Sequence, residues 1–124
     1  MEEKAQTRAR VDKQIAKKLQ PALRSAKERL VLACRTLGAH GHWYGGLAGQ
    51  ITMRGDSEGT YWTLKFGVGA DEATQSDLVL IDDQLNTLDG NALANPAVRF
   101  HLWVYRQRPD VQSIIHTHPP AISA

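Results

Sequence analysis

The sequence has very little cysteine: Cys34 is the only one in 124 residues. A single thiol excludes an internal disulfide framework and fits a reducing compartment. Cys34 lies in an apolar helical stretch and reads as buried filler rather than a nucleophile. Charge of either sign is also not in excess, with 15 Lys and Arg against 13 Asp and Glu, a formal +2. That balance argues against a nucleic-acid partner. Nine of the basic residues precede residue 30, but without the interleaved aromatics a nucleic-acid surface would use. No apolar run approaches the roughly 20 residues of a membrane-spanning helix. The charged N-terminus lacks the apolar core of a signal peptide, so the expected location is cytoplasmic, with no membrane partner.

What is present suits one globular domain. The apolar fraction is 42%, ordinary for a folded chain, and 124 residues can enclose a core. Residues 1–22 read as a polar, basic helical leader and 23–124 as the folded domain. Pro21 suits the first turn of a helix whose apolar face carries Leu23, Leu30, Cys34 and Leu37, with Gly38 as its stop. The segment "GHWYGGLAGQ" has four glycines in nine positions, which makes it a loop where backbone can approach something closely. Trp43 and Tyr44 there either line a pocket or pack under the loop.

"QITMR" and "TYWTLKF" flank a turn-rich break and read as a hairpin. "DLVLID" is a buried strand, and "DQLNTLDGN" reads as turn. A second helix follows Asn95 and Pro96, capped by the one and begun by the other. Val98, Leu102 and Tyr105 share one side of it, with His101 on an adjacent stripe; Trp103 and Tyr105 read as core or subunit contacts. "VQSIIHTH" is then a β-branched strand ended by Pro119 and Pro120. Hairpins mixed with helices predict an α/β layer around a largely antiparallel sheet.

His116 and His118 are the chemically notable pair. Alternate residues of a strand share a face with Cα atoms roughly 6.5–7 Å apart, so two imidazoles can converge on one cation. Two histidines hydrogen-bonded within the layer satisfy the same spacing. A catalytic zinc site also takes three protein ligands as a rule. The glycine-rich loop offers unencumbered N–H groups that can cradle a phosphate, or it is merely a tight connection. His40 and His42 read as exposed loop residues.

From about residue 25 to the end, the chain resembles the class II aldolase/adducin family. The most specific part is "RFHLWVYRQRPDVQSIIHTHPP", which combines a helix, an R-P-D turn and a metal-binding H-x-H. The resemblance implies a three-layer α/β/α fold with a mostly antiparallel sheet, incomplete in this chain, and a homo-oligomer. It implies a divalent cation, most simply Zn²⁺, and a small carbonyl or sugar-phosphate substrate cleaved through a metal-stabilised enediolate. It places His116 and His118 as metal ligands. It assigns Gly49 and Gln50 to a phosphate-binding loop, Phe66 and Gly67 to a second substrate turn, and Asn95–Pro96 to the place of a paired-serine phosphate contact.

Three departures accompany the resemblance. Ala97 stands where the classical aldolases carry a metal-contacting, proton-moving glutamate, and alanine can do neither task. Asn95–Pro96 lacks the serine hydroxyls and one backbone donor. The family's third metal histidine lies beyond residue 124. His101, one turn after Ala97, is the candidate substitute base or ligand, against the simpler role of a packed histidine. The expected activity is therefore that of an aldehyde-lyase. The alternatives are an adducin-like oligomerisation module without catalysis and an inactive truncated homologue.

Overall fold

A capping box starts the second helix. Ser25 Oγ accepts from the Glu28 N–H at 3.2 Å, and the Glu28 carboxylate accepts from the Ser25 N–H at 2.7 Å. Two of the free donors at a helix start are thereby satisfied, worth about 1 kcal/mol together. The same bonds hold the Glu28 carboxyl below its ordinary pKa. In this computed structural model, which describes residues 2–18, 24–43 and 48–123, the helix α2 spans Ala26–Ala39. The start therefore falls at Ser25, and the expected start at Pro21 lies outside the described residues. The leader forms helix α1, Glu2–Lys18, with exposed side chains from residue 4 to 17.

Gly38 does not stop α2, because Ala39 still belongs to the helix. A Cβ at Gly38 would stand 2.6 Å from the Asp71 backbone nitrogen and 3.0 Å from the Ala70 carbonyl carbon. Glycine is present there because the turn at Ala70–Glu72 crosses directly against the helix.

Five antiparallel strands follow: β1 Gln50–Arg54, β2 Thr60–Leu64, β3 Leu78–Asp82, β4 Thr87–Asp89 and β5 Ser113–His116. Their order across the sheet is β4-β3-β2-β1-β5. The expected hairpin is β1–β2, with Met53 opposite Trp62. β4 corrects the expectation of turn throughout 83–91: Thr87 pairs with Ile81 and Asp89 with Leu80 across a register shift. Three residues on a shifted edge leave too short a pattern to stand out from a turn.

Alternation along the strands feeds two cores. Ile51 and Leu78 face α2 with Leu30, Cys34, Trp43, Ala70 and Ala73. Tyr61, Val79 and Ile81 face the other side with Val98, Leu102 and Tyr105. Leu102 and Tyr105 lie on helix α3, Arg99–Gln107, and Val98 in the single 3-10 turn, Pro96–Val98, that leads into it. Helices on both faces of an antiparallel sheet make the expected three layers. Cys34 is fully buried, and burial pushes its thiol up to about 11, as expected of filler. Trp103 does not enter a core; it is half exposed, edge-on to Phe100 at 5.5 Å. A short helix α4, Pro120–Ser123, ends the described chain. Among the described residues, no helix is long and apolar enough to cross a membrane.

Candidate active site

Gln50 and Thr52, two apart on β1, turn polar side chains toward the α3 face and are buried there. Across the ladder, β5 places His116 opposite Gln50 and Ile114 opposite Thr52. Directly opposed residues on neighbouring strands bring their side chains together. Accordingly, His116 Nδ1 lies 2.7 Å from Gln50 Oε1. An amide oxygen can only accept, so Nδ1 is the donor in this contact and Nε2 is the ring nitrogen left for another partner.

His118 lies past the end of β5, not within the strand as its spacing suggested. Its backbone N–H donates to the His42 carbonyl at 2.9 Å, which fixes the segment leaving the sheet. The two rings still converge, with centroids 4.6 Å apart and planes at 45°. His42 is thus half-buried and serves through its carbonyl, whereas His40 is exposed.

α3 brings a third imidazole to the same face. Val98, His101, Leu102 and Tyr105 follow the i, i+3, i+4, i+7 pattern and form its buried stripe. His101 Nδ1 is 2.8 Å from Thr52 Oγ1, which is also 2.8 Å from the Tyr105 hydroxyl. His101 Nε2 is the buried side-chain polar atom without a partner among the described residues. Burial first, and the neighbouring His116 second, lower the His101 pKa to about 4, so the ring is neutral at pH 7. Thr52 and Tyr105 were not apparent as site residues in the sequence. The detectable signal was the polar alternation Gln50–Thr52–Arg54 along the strand.

The donor set matches part of a metal site. His116 and His118 offer two imidazoles at a separation one divalent ion can bridge. His101 stands 6.5 Å from His116, centroid to centroid. Among the described residues, no group of three or more His, Cys, Asp or Glu forms a ligand cluster. Ala97 supplies no carboxylate; its N–H is tied to Asn95 Oδ1 at 2.9 Å.

Beside the pair lies a small cavity of about 60 Å³, lined in part by Gly49, Gln50, Phe66, Gly67 and Asn95. The five residues expected to meet substrate therefore share one cavity, and Gln50 links it to His116. Gly49 has φ +144°, and a Cβ there would meet the Trp43 ring at 2.8 Å and the His116 carbonyl at 3.0 Å. Trp43 is buried and also lines the cavity, so both roles considered for it apply. Tyr44 lies outside the described residues.

The layered fold around an antiparallel five-stranded sheet is shared with solved class II aldolase structures. Residues 28–124 match the family described as Class II Aldolase and Adducin N-terminal domain, and the chain belongs to that family. It is 36% identical over 95 residues to a 4-hydroxy-3-prenylphenylpyruvate oxygenase/4-hydroxy-3-prenylbenzoate synthase of Streptomyces roseochromogenus subsp. oscitans, covering 74% of this chain and 34% of that protein. It is 32% identical over 108 residues to a 3,4-dihydroxyphthalate decarboxylase of Arthrobacter keyseri, covering 80% and 42%. Among solved structures, L-fuculose 1-phosphate aldolase from Glaciozyma antarctica PI12 matches with a TM-score of 0.70 and 30% identity, covering 75% of this chain and 39% of that one. The chain thus spans between a third and a half of the length of the curated relatives it matches.

Proposed function

We propose that the protein is a divalent-metal-dependent carbon–carbon lyase, with His116 and His118 holding the cation through Nε2 of His116 and a ring nitrogen of His118. The observation that carries this reading is the convergence of the two rings at 4.6 Å, with Gln50 holding the His116 proton on Nδ1. A bound Zn²⁺ or similar ion would supply Lewis-acid stabilisation of the enolate left when the carbon–carbon bond breaks. Gln50 keeps His116 in the ligating tautomer and orientation, as outer groups do at metal sites. His101, neutral and sealed from solvent, presents Nε2 as the remaining proton-handling atom. Its ring stands 6.5 Å from His116, centroid to centroid, the nearest further imidazole to the pair.

Two cleavages share this electron flow. Retro-aldol cleavage needs a base for the substrate hydroxyl proton, a task for His101 in the absence of a carboxylate at Ala97. Decarboxylation needs no such base, since a carboxylate has already lost its proton, and only the product carbanion must be protonated. Ala97 favours decarboxylation, and a decarboxylase is among the curated relatives. The test is product analysis with Zn²⁺-loaded protein: CO₂ release from β-keto or hydroxyaryl carboxylates, and aldehyde release from hydroxyketo compounds and sugar phosphates. Turnover lost on metal removal and regained on reloading supports the proposal. Silence across both classes, with no metal uptake and tight self-association, would favour a non-catalytic adducin-like module.

A further inference from the structure

We propose that Thr52, backed by Tyr105, holds the His101 proton on Nε2 and so makes the third imidazole a hydrogen-bond donor rather than a base. The inference deepens the lyase reading and rests on it for its chemical meaning. The placement of the proton stands on the hydrogen bonds alone. Two contacts fix the Tyr105 ring. It stacks on Tyr61 at 4.6 Å, with planes at 22°, and the Arg54 guanidinium lies 4.6 Å from its centroid. Arg54 also donates to the carbonyls of Tyr105 and Val111, which ties it to the end of α3. The Tyr105 hydroxyl is thereby held 2.8 Å from Thr52 Oγ1, which lies 2.8 Å from His101 Nδ1.

Each of these two contacts takes one proton. The backbone N–H of Ile114 also reaches the Tyr105 oxygen, which accepts there and gives its own proton to Thr52. Thr52, having received one proton, gives its own to His101 Nδ1. Both hydroxyl protons are then used, and the neutral ring carries its proton on Nε2. That N–H is the one group left unmatched among the described residues. With the ring proton on Nδ1 instead, a hydroxyl proton would lack an acceptor among the described residues, and the Nε2 lone pair would be unmatched as well. Each unmatched buried group costs free energy, so the first arrangement is favoured. A donor at Nε2 suits a carbonyl oxygen that gains negative charge as CO₂ leaves. It cannot take the hydroxyl proton that retro-aldol cleavage gives up. The chemistry of the site thus narrows to decarboxylation, with Thr52 and Tyr105 as positioning residues.

The experiment uses the whole chain, metal-free and ¹⁵N-labelled at pH 7, so its outcome is independent of the cation. Long-range ¹H–¹⁵N correlations of the histidine rings report which nitrogen is protonated, and the His101 signals are those lost in His101→Leu. A protonated Nε2 and a bare Nδ1 are expected. Thr52→Val keeps the shape and removes the donor, and should set both tautomers in exchange, drawing the two nitrogen shifts together. Thr52→Ser should restore the single form. Tyr105→Phe, which frees the Thr52 hydroxyl to turn, should move the shifts the same way by less. The wild-type spectrum decides the placement whether or not a variant folds. A proton on Nδ1 there, or ring shifts unchanged in Thr52→Val or Tyr105→Phe, would overturn the proposal. Failure to take up zinc would sink the lyase reading and leave this placement intact.

Discussion

His101 is a titratable side chain held neutral by burial, and that has a consequence for stability. Its folded pKa is lowered to about 4, against about 6.5 for an unperturbed imidazole. Between those values the unfolded chain binds a proton that the folded chain does not. Stability is therefore complete above pH 6.5 and is lost as the pH falls toward 4. From pH 7 to pH 5 the expected loss is up to about 2 kcal/mol. His101→Leu, similar in volume and unable to titrate, should flatten that window in urea melts of metal-free protein. A wild-type melt equally stable at pH 7 and pH 5 would contradict the neutral assignment. The carboxylates act lower: the Lys65 and Thr74 bonds hold Asp77 at about 2, so its contribution is lost only as the pH falls below about 4.

Local chemistry was legible at this scale where one residue type has one use. Asn95 caps the turn into α3, as its type and position suggest. Cys34 is buried filler, as an apolar helical neighbourhood suggests. The partner of a polar side chain was not legible. The family resemblance placed Gln50 in a substrate loop but did not reveal that the β1–β5 register also gives its oxygen to His116. No local pattern encodes a register across 66 residues.

At the scale of elements, Gly38 separates two physical accounts by the sign of one effect. A glycine inside a helix costs about 1 kcal/mol relative to alanine, so Gly38→Ala would stabilise a helix with free space beside it. Here the added methyl meets backbone at 2.6 Å, which overpacking puts at roughly 1–3 kcal/mol. The contact outweighs the propensity, and Gly38→Ala is expected to lower the melting temperature. A raised melting temperature would show that the crossing at Ala70–Glu72 yields freely.

The elements legible in advance were those with strong periodicity: α2, α3, the β1–β2 hairpin and β3. β4 escaped because three residues carry no period, and the end of α2 was misplaced because a glycine required by a neighbour resembles a stop. The pairing of β5 with β1 joins residues 60 or more apart and brings His116 to Gln50. Such a contact follows from whole-sheet topology; the family resemblance implied a mostly antiparallel sheet but no strand order.

For the whole molecule, the decisive feature is how the sheet converges its side chains. β5 lies at one edge, next to β1, and its last residue faces the polar stripe of β1 while α3 closes over that stripe. Two helical layers hold this edge from opposite sides through separate cores. Ile115 on β5 and Phe100 and Trp103 on α3 remain largely exposed. The family fold thus delivers two imidazoles, one buried neutral histidine and a cavity in one place.

The central claim is that His116 and His118 jointly bind a divalent cation. Metal-free protein is dialysed against Zn²⁺, and its bound zinc is measured by mass spectrometry beside a His116→Ala, His118→Ala double variant matched for folding by circular dichroism. Joint ligation by the two imidazoles predicts about one zinc per chain in the wild type and a near-complete loss in the variant. Equal zinc in both proteins would contradict it.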